Sequence, residues 1–220
     1  MPLASAGDPW VRWDWVSRHS ADIAAAGRQH AELTAIAVAL GLAISFPLAL
    51  AARRWRRLEQ PVMAGTGLLF AVPSLALFAL LVPVYGLSRL TAEIGLVGYT
   101  FMILVRNILA GLDGVPAEVT EAARGLGYRP LRQLVTVEVP LALPVILAGV
   151  RLATVTTVGL VTVTGLIAQG GLGAFIIEGI NRDFRTPVVV GSVLSVALAV
   201  VADLGLAAAG RLLTPWARSR

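Results

Sequence analysis

The stretch EVTEAARGLGYRPLRQLVTVEVP, from Glu118 to Pro140, decides how the rest of this sequence is interpreted, because it is a polar island between two long apolar runs. It carries three glutamates and three arginines. Glu118 and Glu121 follow Pro116, and both proline and acidic side chains are favoured in the first turn of a helix. The stretch therefore predicts a short polar helix.

Further signals divide this stretch into two short helices. Gly125 and Gly127 can supply the left-handed residue that ends the first helix. Pro130 is expected to open the second helix, and Pro140 is expected to close it. A stripe of mostly small apolar side chains with i, i+3, i+4, i+7 spacing follows the first helix: Val119, Ala122, Ala123 and Leu126. Such a stripe favours insertion into a groove on another protein; an amphipathic loop on a membrane surface is the alternative.

The composition places most of the chain in lipid. Of 220 residues, 57% are hydrophobic and 14% are charged, and the mean hydropathy is +0.79, which is more apolar than a soluble domain requires. The lack of cysteine excludes disulfides and thiolate chemistry. His19 and His30 do not have metal-ligand spacing, so no metal is expected. All 18 basic residues are arginines beside apolar runs, which is typical of a membrane protein and not of a nucleic-acid-binding protein.

Several stretches are long enough to cross a bilayer. About twenty helical residues, at about 1.5 Å each, span about 30 Å of hydrocarbon. The stretches are residues 31–52, 62–85, 93–112, 141–167 and 187–210. They are rich in glycine, alanine, serine and threonine, which let helices approach closely in lipid. The sequence therefore predicts an all-α integral membrane bundle of about five spans over residues 31–210.

Arginine positions predict the orientation of the bundle. Arginines accumulate in the RRWRR motif at 53–57, in the loop 113–140 and in the tail 211–220. These segments alternate correctly to share one side, which the positive-inside bias makes cytoplasmic. The N-terminus is then outside and the C-terminus inside. Residues 1–30 lack the pattern of a cleaved signal peptide, and their tryptophans predict an extracytoplasmic, interfacial segment: Trp10, Trp13 and Trp15.

A few polar residues inside the spans are candidates for structural or transport roles. Ionisable side chains in a membrane are usually paired or face a cavity. Asp203 lies at a depth similar to Arg151 and Arg106, so we expect it to pair with one of them. The alternative is that both arginines reach lipid headgroups and Asp203 is hydrated. Four hydroxyl residues are candidates for lining a path, although threonine in a membrane helix often bonds its own i−4 carbonyl: Ser74, Thr154, Thr157 and Thr164.

The loop of residues 168–186 joins the last two spans. It opens with three glycines, which predict a flexible entry to a short amphipathic segment on the outer face: Gly170, Gly171 and Gly173.

The polar stretch resembles the EAA loop of binding-protein-dependent ABC importer permeases, with valines in place of the usual isoleucine and leucine. The residues that carry the motif are Glu121, Ala122, Ala123, Gly127, Val137, Val139 and Pro140. Longer stretches resemble the permeases for glycine betaine, carnitine and choline: AVPSLALFALLVP (71–83), LVRNILAGLDGVPAEVTEAARGLG (104–127), VPLALPVILAGVRLATV (139–155) and GLIAQGGLGAFI (165–176). The resemblance covers residues 29–210.

The resemblance implies a type I ABC importer permease fold, like that of methionine importers, with no catalytic residue. In that family the EAA loop forms a coupling helix in a cleft of an ATPase subunit, which implies this role for residues 118–132. Glu121 would contact the ATPase, and Gly127 would permit the turn. The coupling residues implied are Glu118, Glu121, Ala122, Ala123, Gly127 and Arg129. Residues 168–186 would meet the binding protein and help to close the outer gate.

The partners implied are two ABC ATPase subunits, a second permease subunit that is identical or a sister chain, and an extracytoplasmic substrate-binding protein. The sequence has no G-x-x-x-x-G-K-[ST] phosphate loop, so ATP and Mg would be used by the ATPase, and this chain would bind no cofactor. The expected function is half of a pore for osmoprotectants such as glycine betaine, choline, carnitine and proline betaine, in the inner membrane of a bacterium.

Three other functions compete with this expectation. A permease for another small solute, such as methionine, would share the EAA loop. A secondary transporter would show internal repeats and broken helices around a midplane site, and the sequence shows no repeat and no acidic proton-relay series. A membrane-bound enzyme would need a nucleophile or a metal set within the spans, and none is present.

Overall fold

The chain is almost entirely helical in the computed structural model, which describes residues 9–167 and 169–218. This confirms the predicted all-α architecture. The α-helices of these residues are α1 (Trp13–Arg18), α2 (Ser20–Arg54), α3 (Arg56–Ala71), α4 (Ser74–Tyr85), α5 (Arg89–Asp113), α6 (Ala117–Gly125), α7 (Pro130–Gln133), α8 (Val139–Val163), α9 (Leu172–Asn181) and α10 (Arg185–Leu213). Leu134–Glu138 is a π-helical turn between α7 and α8, and Thr164–Ile167 and Pro215–Arg218 are 3₁₀ turns.

The centre of the bundle lies where α2, α5 and α8 pack against one another. Leu104, Ile108 and Leu112 of α5 are fully buried there. They share a cluster with Ala49 of α2 and Ala153 of α8, which are also fully buried. Small partners let the helices come close, which matters in lipid because burying apolar surface against another helix gives little driving force there.

A glycine makes one of these close contacts possible. A Cβ atom at Gly149 of α8 would lie 2.4 Å from the Cβ and 2.8 Å from the Cγ of Asn107 on α5. The Asn107 side chain is held in place, because its Nδ2 donates a 2.8 Å hydrogen bond to the carbonyl of Ile103. At this depth α5 and α8 can therefore pack as observed only with glycine.

Four helical stretches are long and apolar enough to cross a membrane: Ser20–Arg54, Arg89–Asp113, Pro130–Ile167 and Arg185–Leu213. They contain the stretches predicted at 31–52, 93–112, 141–167 and 187–210. A fifth crossing results if α3 and α4 are counted together, and these two helices are bent by 92° relative to each other.

The span predicted at residues 62–85 thus falls on two helices, α3 and α4, that meet at this bend. Pro73 has no N–H and disfavours the helical conformation at the residue before it. Val72 is accordingly extended, with φ −63° and ψ 128°. The hydroxyl of Tyr99 on α5 donates a hydrogen bond to the Val72 carbonyl at the break.

The N-terminal segment packs onto the bundle. Residues 20–30, predicted as part of an interfacial segment, belong to α2. Trp15 of α1 makes edge contacts with the rings of Phe175 and Phe184, at centroid distances of 5.8 and 5.9 Å. The backbone N–H of Arg12 donates a 3.0 Å hydrogen bond to Thr186 Oγ1. The segment is therefore tied to the end of the bundle where α9 and α10 meet; residues 1–8 lie outside the described residues.

We expect Gly149→Ala to destabilise the bundle by about 1–3 kcal/mol, because the added methyl group has no space beside Asn107. Gly159→Ala on the same helix is the matched control, since no atom lies within 4 Å of its Cβ position and alanine favours a helix over glycine. The thermal midpoint of the protein purified in detergent should fall for Gly149→Ala and should hold or rise for Gly159→Ala. Equal midpoints for the two variants would contradict the packing argument.

Candidate functional site

The polar island forms α6, and its end is built by a glycine. Gly127 has a φ of 78°, the left-handed region that favours glycine. The N–H of Tyr128 donates to the carbonyl of Ala123 at 3.1 Å, and the N–H of Gly127 donates to that of Arg124 at 2.9 Å. This pair of hydrogen bonds is a Schellman motif, which satisfies carbonyls that the helix end leaves free. Gly125, the other predicted stop residue, is instead the last residue of α6.

The apolar stripe of α6 is mostly exposed. Val119 and Leu126 are 37% and 78% exposed, Ala122 is exposed, and Ala123 is buried. These residues line a shallow cleft of about 390 Å³ together with Glu118, Tyr128 and Val137. The side chains of Glu118, Glu121 and Arg129 are also exposed. Of the predicted coupling residues, Glu118, Ala122 and Ala123 line this cleft, whereas Glu121, Gly127 and Arg129 are exposed outside its lining.

The second short helix does not end at Pro140, which corrects the sequence interpretation. Helical structure is continuous from α7 through the π-helical turn into α8, and Pro140 lies in the first turn of α8. The N–H of Val139 bonds to the carbonyl of Leu134, five residues earlier. The wider i→i+5 turn relieves the crowding that a proline ring causes against the preceding turn of an α-helix.

An ionic network joins α2 to both ends of the segment that contains α6. Arg53 Nε donates to Asp113 Oδ1 at 3.0 Å, and Arg53 Nη1 donates to Glu138 Oε2. Gln133 Nε2 donates to the other oxygen of Glu138 at 2.8 Å. Sequence reasoning treated Arg53 only as a charge that sets orientation. Its carboxylate partners lie 60 and 85 residues away, so no local pattern could have identified them.

A second ion pair lies between α8 and α10. Arg151 Nε and Nη2 donate to the two carboxylate oxygens of Asp203, both at 2.8 Å. This is the bidentate geometry that a planar guanidinium favours. Asp203 thus meets Arg151, one of its two candidate partners, whereas Arg106 is exposed on α5.

Three of the four candidate path residues are buried within this single chain. Thr157 and Thr164 are at most 1% exposed, and Thr154 is 8% exposed. The hydroxyl of Thr154 donates to the Val150 carbonyl at 2.8 Å, and that of Thr164 donates to the Val161 carbonyl at 2.8 Å. Thr154 also lines a cleft of about 540 Å³ between α2, α8 and α10. Ser74 is half-buried at the start of α4.

The glycines around the start of α9 are tightly packed, in contrast to the flexible entry that they predicted. A Cβ atom at Gly171, which has a φ of 48°, would lie 2.8 Å from the Ala26 carbonyl oxygen. One at Gly173 would lie 2.2 Å from the Thr162 carbonyl oxygen, and one at Gly170 would lie 2.2 Å from Gly165 Cα. These glycines therefore let the loop approach α2 and the end of α8; Ala168 lies outside the described residues.

No group of three or more histidine, aspartate or glutamate side chains within the described residues is placed to hold a metal ion.

Comparison with known proteins identifies a matching family. The profile of the family described as binding-protein-dependent transport system inner membrane component matches residues 34–214. The choline transport system permease protein OpuBB of Bacillus subtilis is 34% identical over 87% of this chain and 88% of its own length. The osmoprotectant import permease protein OsmW of Salmonella typhimurium is 35% identical over 85% of this chain and 89% of its own length.

A solved structure has the same fold. An inward-facing crystal structure of the MetNI methionine ABC transporter contains a chain with a TM-score of 0.77. The match covers 87% of this chain and 96% of that chain, at 20% sequence identity. At this identity the likeness concerns the fold alone.

Asp203→Asn should leave the Arg151 guanidinium without its charged partner and lower the thermal midpoint of the protein purified in detergent. Removing both charges, in Arg151→Met with Asp203→Leu, should restore much of the lost midpoint, because paired residues have non-additive effects. Arg106→Met is the control and should change the midpoint little. A loss for Arg106→Met as large as that for Asp203→Asn would show that the pair at Asp203 is not the stabilising contact.

Proposed function

The chain belongs to the family of binding-protein-dependent transport system inner membrane components, and we propose that α6 is the element through which a separate ATPase drives it. The chain is a multi-pass permease subunit of an ABC importer with a methionine-importer-like fold. The observation that carries the proposal is the exposed apolar face of α6 at the end of the bundle.

The chemistry of this face suits a groove on a partner protein. Val119 and Leu126 are exposed apolar side chains on a polar segment, so contact with a partner would remove them from water. Ala122 lies between them and permits close backbone approach. Glu118 lines the same cleft, and its exposed carboxylate can pair with a basic group of the partner. A cleft on an ATPase subunit would meet these requirements.

The ATPase is a separate subunit in this proposal. This sequence contains no lysine and no G-x-x-x-x-G-K-[ST] phosphate loop. ATP and Mg would therefore be used by two partner ATPase subunits. A second permease, either a copy of this chain or a sister chain, would complete the pore, and an extracytoplasmic binding protein would deliver the solute.

The arginine distribution supports a cytoplasmic position for α6. The RRWRR motif begins at Arg53, next to the segment that carries α6, and the positive-inside bias places such clusters in the cytoplasm. ATP binding would close the ATPase subunits and draw α6 and its counterpart in the second permease together. The bundle would then open outward to accept solute beside the glycine-packed loop at α9, and hydrolysis would reset it.

Ser74 and Thr154 remain the proposed path residues. A path between two permease chains runs along surfaces that are accessible in each chain alone. Ser74 is half-buried beside the break at Pro73, and Thr154 lines the cleft between α2, α8 and α10. Thr157 and Thr164 are enclosed by their own chain, so we leave them out of the proposed path.

We propose that the solutes are small osmoprotectants such as glycine betaine, choline, carnitine and proline betaine. Relatives with 34% and 35% identity are named for choline transport and osmoprotectant import. Caging a quaternary amine takes several aromatic rings, whereas within the bundle Phe70 and Tyr99 form an edge-to-face pair at 5.9 Å. Selection of the solute is therefore assigned to the binding protein. Methionine is the alternative solute, because the EAA loop is shared by permeases for different solutes.

Ala122→Trp should prevent the ATPase from binding, because the large ring would hold the α6 backbone away from the groove. The matched control is Ala117→Trp, an exposed position about 140° around the same helix. Co-purification of the ATPase in detergent should fall at least about tenfold for Ala122→Trp, as for the loss of a central contact, and should persist for Ala117→Trp. Retention of the ATPase and of uptake by Ala122→Trp would refute the docking role of α6.

Uptake of radiolabelled glycine betaine into proteoliposomes should require the ATPase, internal ATP and the binding protein. Unlabelled choline or carnitine should compete with the label, and methionine should not. Uptake without the ATPase would indicate a secondary transporter. Competition by methionine alone would indicate the alternative solute.

A further inference from the structure

We infer that Arg53 is a positioning residue that fixes both ends of the α6 segment to α2, so that a displacement of α6 becomes a displacement of the spanning helices. The α6 segment is here residues 114–137, which lie between Asp113 and Glu138. This inference rests on the proposed function of α6 and goes beyond it, because it assigns the contact that passes the movement on.

Each nitrogen of the Arg53 guanidinium has a separate partner. Nε donates to Asp113 Oδ1 at 3.0 Å, and Nη2 donates to the Leu112 carbonyl at 3.0 Å, both at the end of α5. Nη1 donates to Glu138 Oε2, which lies just before α8. One side chain at the end of α2 therefore holds the chain immediately before and immediately after the α6 segment.

The π-helical turn completes this arrangement. Residues five apart in an α-helix point about 140° away from each other, whereas i→i+5 bonding brings them close to alignment. Gln133 and Glu138 are five apart, and they share a 2.8 Å hydrogen bond between Nε2 and Oε1. The turn thus orients the Glu138 carboxylate so that one oxygen accepts from Arg53 and the other accepts from Gln133.

Burial makes this contact specific to Arg53. Glu138 is 7% exposed and Gln133 is 3% exposed, and a buried carboxylate requires a charged, hydrogen-bonding partner. Arg54 and Arg124 line a cleft of about 420 Å³ together with Arg53 and Glu138, but the hydrogen bonds to Glu138 come from Arg53 and Gln133, and Arg57 is exposed. Arg56 approaches Asp113 at 3.8 Å but also pairs with Glu59 at 2.6 Å.

Through these hydrogen bonds Arg53 links α2 to the end of α5 and to the residue before α8, and α2 also packs along both of those helices. A movement of α6 that is not passed through Arg53 can be absorbed by rotation at the three residues between α5 and α6. The ATPase would then still close and hydrolyse ATP, while the spanning helices would follow less often.

The test is the amount of ATP hydrolysed per solute imported, measured in proteoliposomes with the ATPase and the binding protein. Arg53→Lys keeps the charge, but a single ammonium cannot reach three acceptors on separate elements. We expect the complex to assemble and the ATP-to-solute ratio to rise about tenfold, as for the loss of a typical coupling energy. Glu138→Gln should raise the same ratio, and the matched control Arg57→Lys should leave it unchanged.

An unchanged ratio in Arg53→Lys and Glu138→Gln would overturn the inference. A fall in complex yield or thermal midpoint for both variants, with the ratio of the remaining complex unchanged, would overturn it as well, because the network would then be structural only. Failure of the proposed function would give a different result, because Ala122→Trp would then retain the ATPase and uptake. If Ala122→Trp loses the ATPase while Arg53→Lys couples normally, only the present inference fails.

Discussion

A bilayer offers no hydrogen-bond partner to a polypeptide backbone, and the architecture of this chain depends on that constraint. Long helices satisfy their own carbonyls, and the exceptions are repaired by side chains. Where Pro73 interrupts the second span, the hydroxyl of Tyr99 donates to the Val72 carbonyl. Where threonines occur inside α8, as at Thr154, the hydroxyl bonds back to the helix and leaves no free polar group in the contact. The hydroxyls of Tyr99 and Thr154 thus satisfy backbone carbonyls of the helices themselves.

Charged side chains are also satisfied by partners within the chain, and the elements that each ionic contact joins depend on its depth in the membrane. Arg151 and Asp203 neutralise each other between α8 and α10, which makes two costly residues tolerable in a spanning region. Arg53 lies at the end of the bundle, where water and charged partners are available, and it distributes its hydrogen bonds over three acceptors. The first arrangement joins two helices, whereas the second joins a helix to a segment that leaves the bundle.

The sequence predicted those features that depend on neighbours along the chain. Hydropathy located the long helices, and Gly127 marked the end of α6 because a Schellman motif involves only consecutive residues. The prediction from sequence was wrong or incomplete where residues distant along the chain decide the structure. Pro140 should end a helix, but the π-helical turn before it accommodates the ring. The hydrogen-bond partners of Arg53 could not be predicted either, since they lie on other elements. Pro73 is a helix breaker in the sequence, but the apolar length of residues 62–85 favoured a single span, whereas the structure has two bent helices there.

The coupling role proposed for α6 requires that this short helix be held firmly at both ends. A helix of nine residues has little stability of its own, because the cost of starting a helix is spread over few hydrogen bonds. Its shape must therefore be imposed from its two ends. At one end Gly127 fixes the turn, and beneath both ends Arg53 fixes the attachment to α2. Between these constraints Val119, Ala122 and Leu126 are exposed, so a partner can contact them without first displacing another part of the chain.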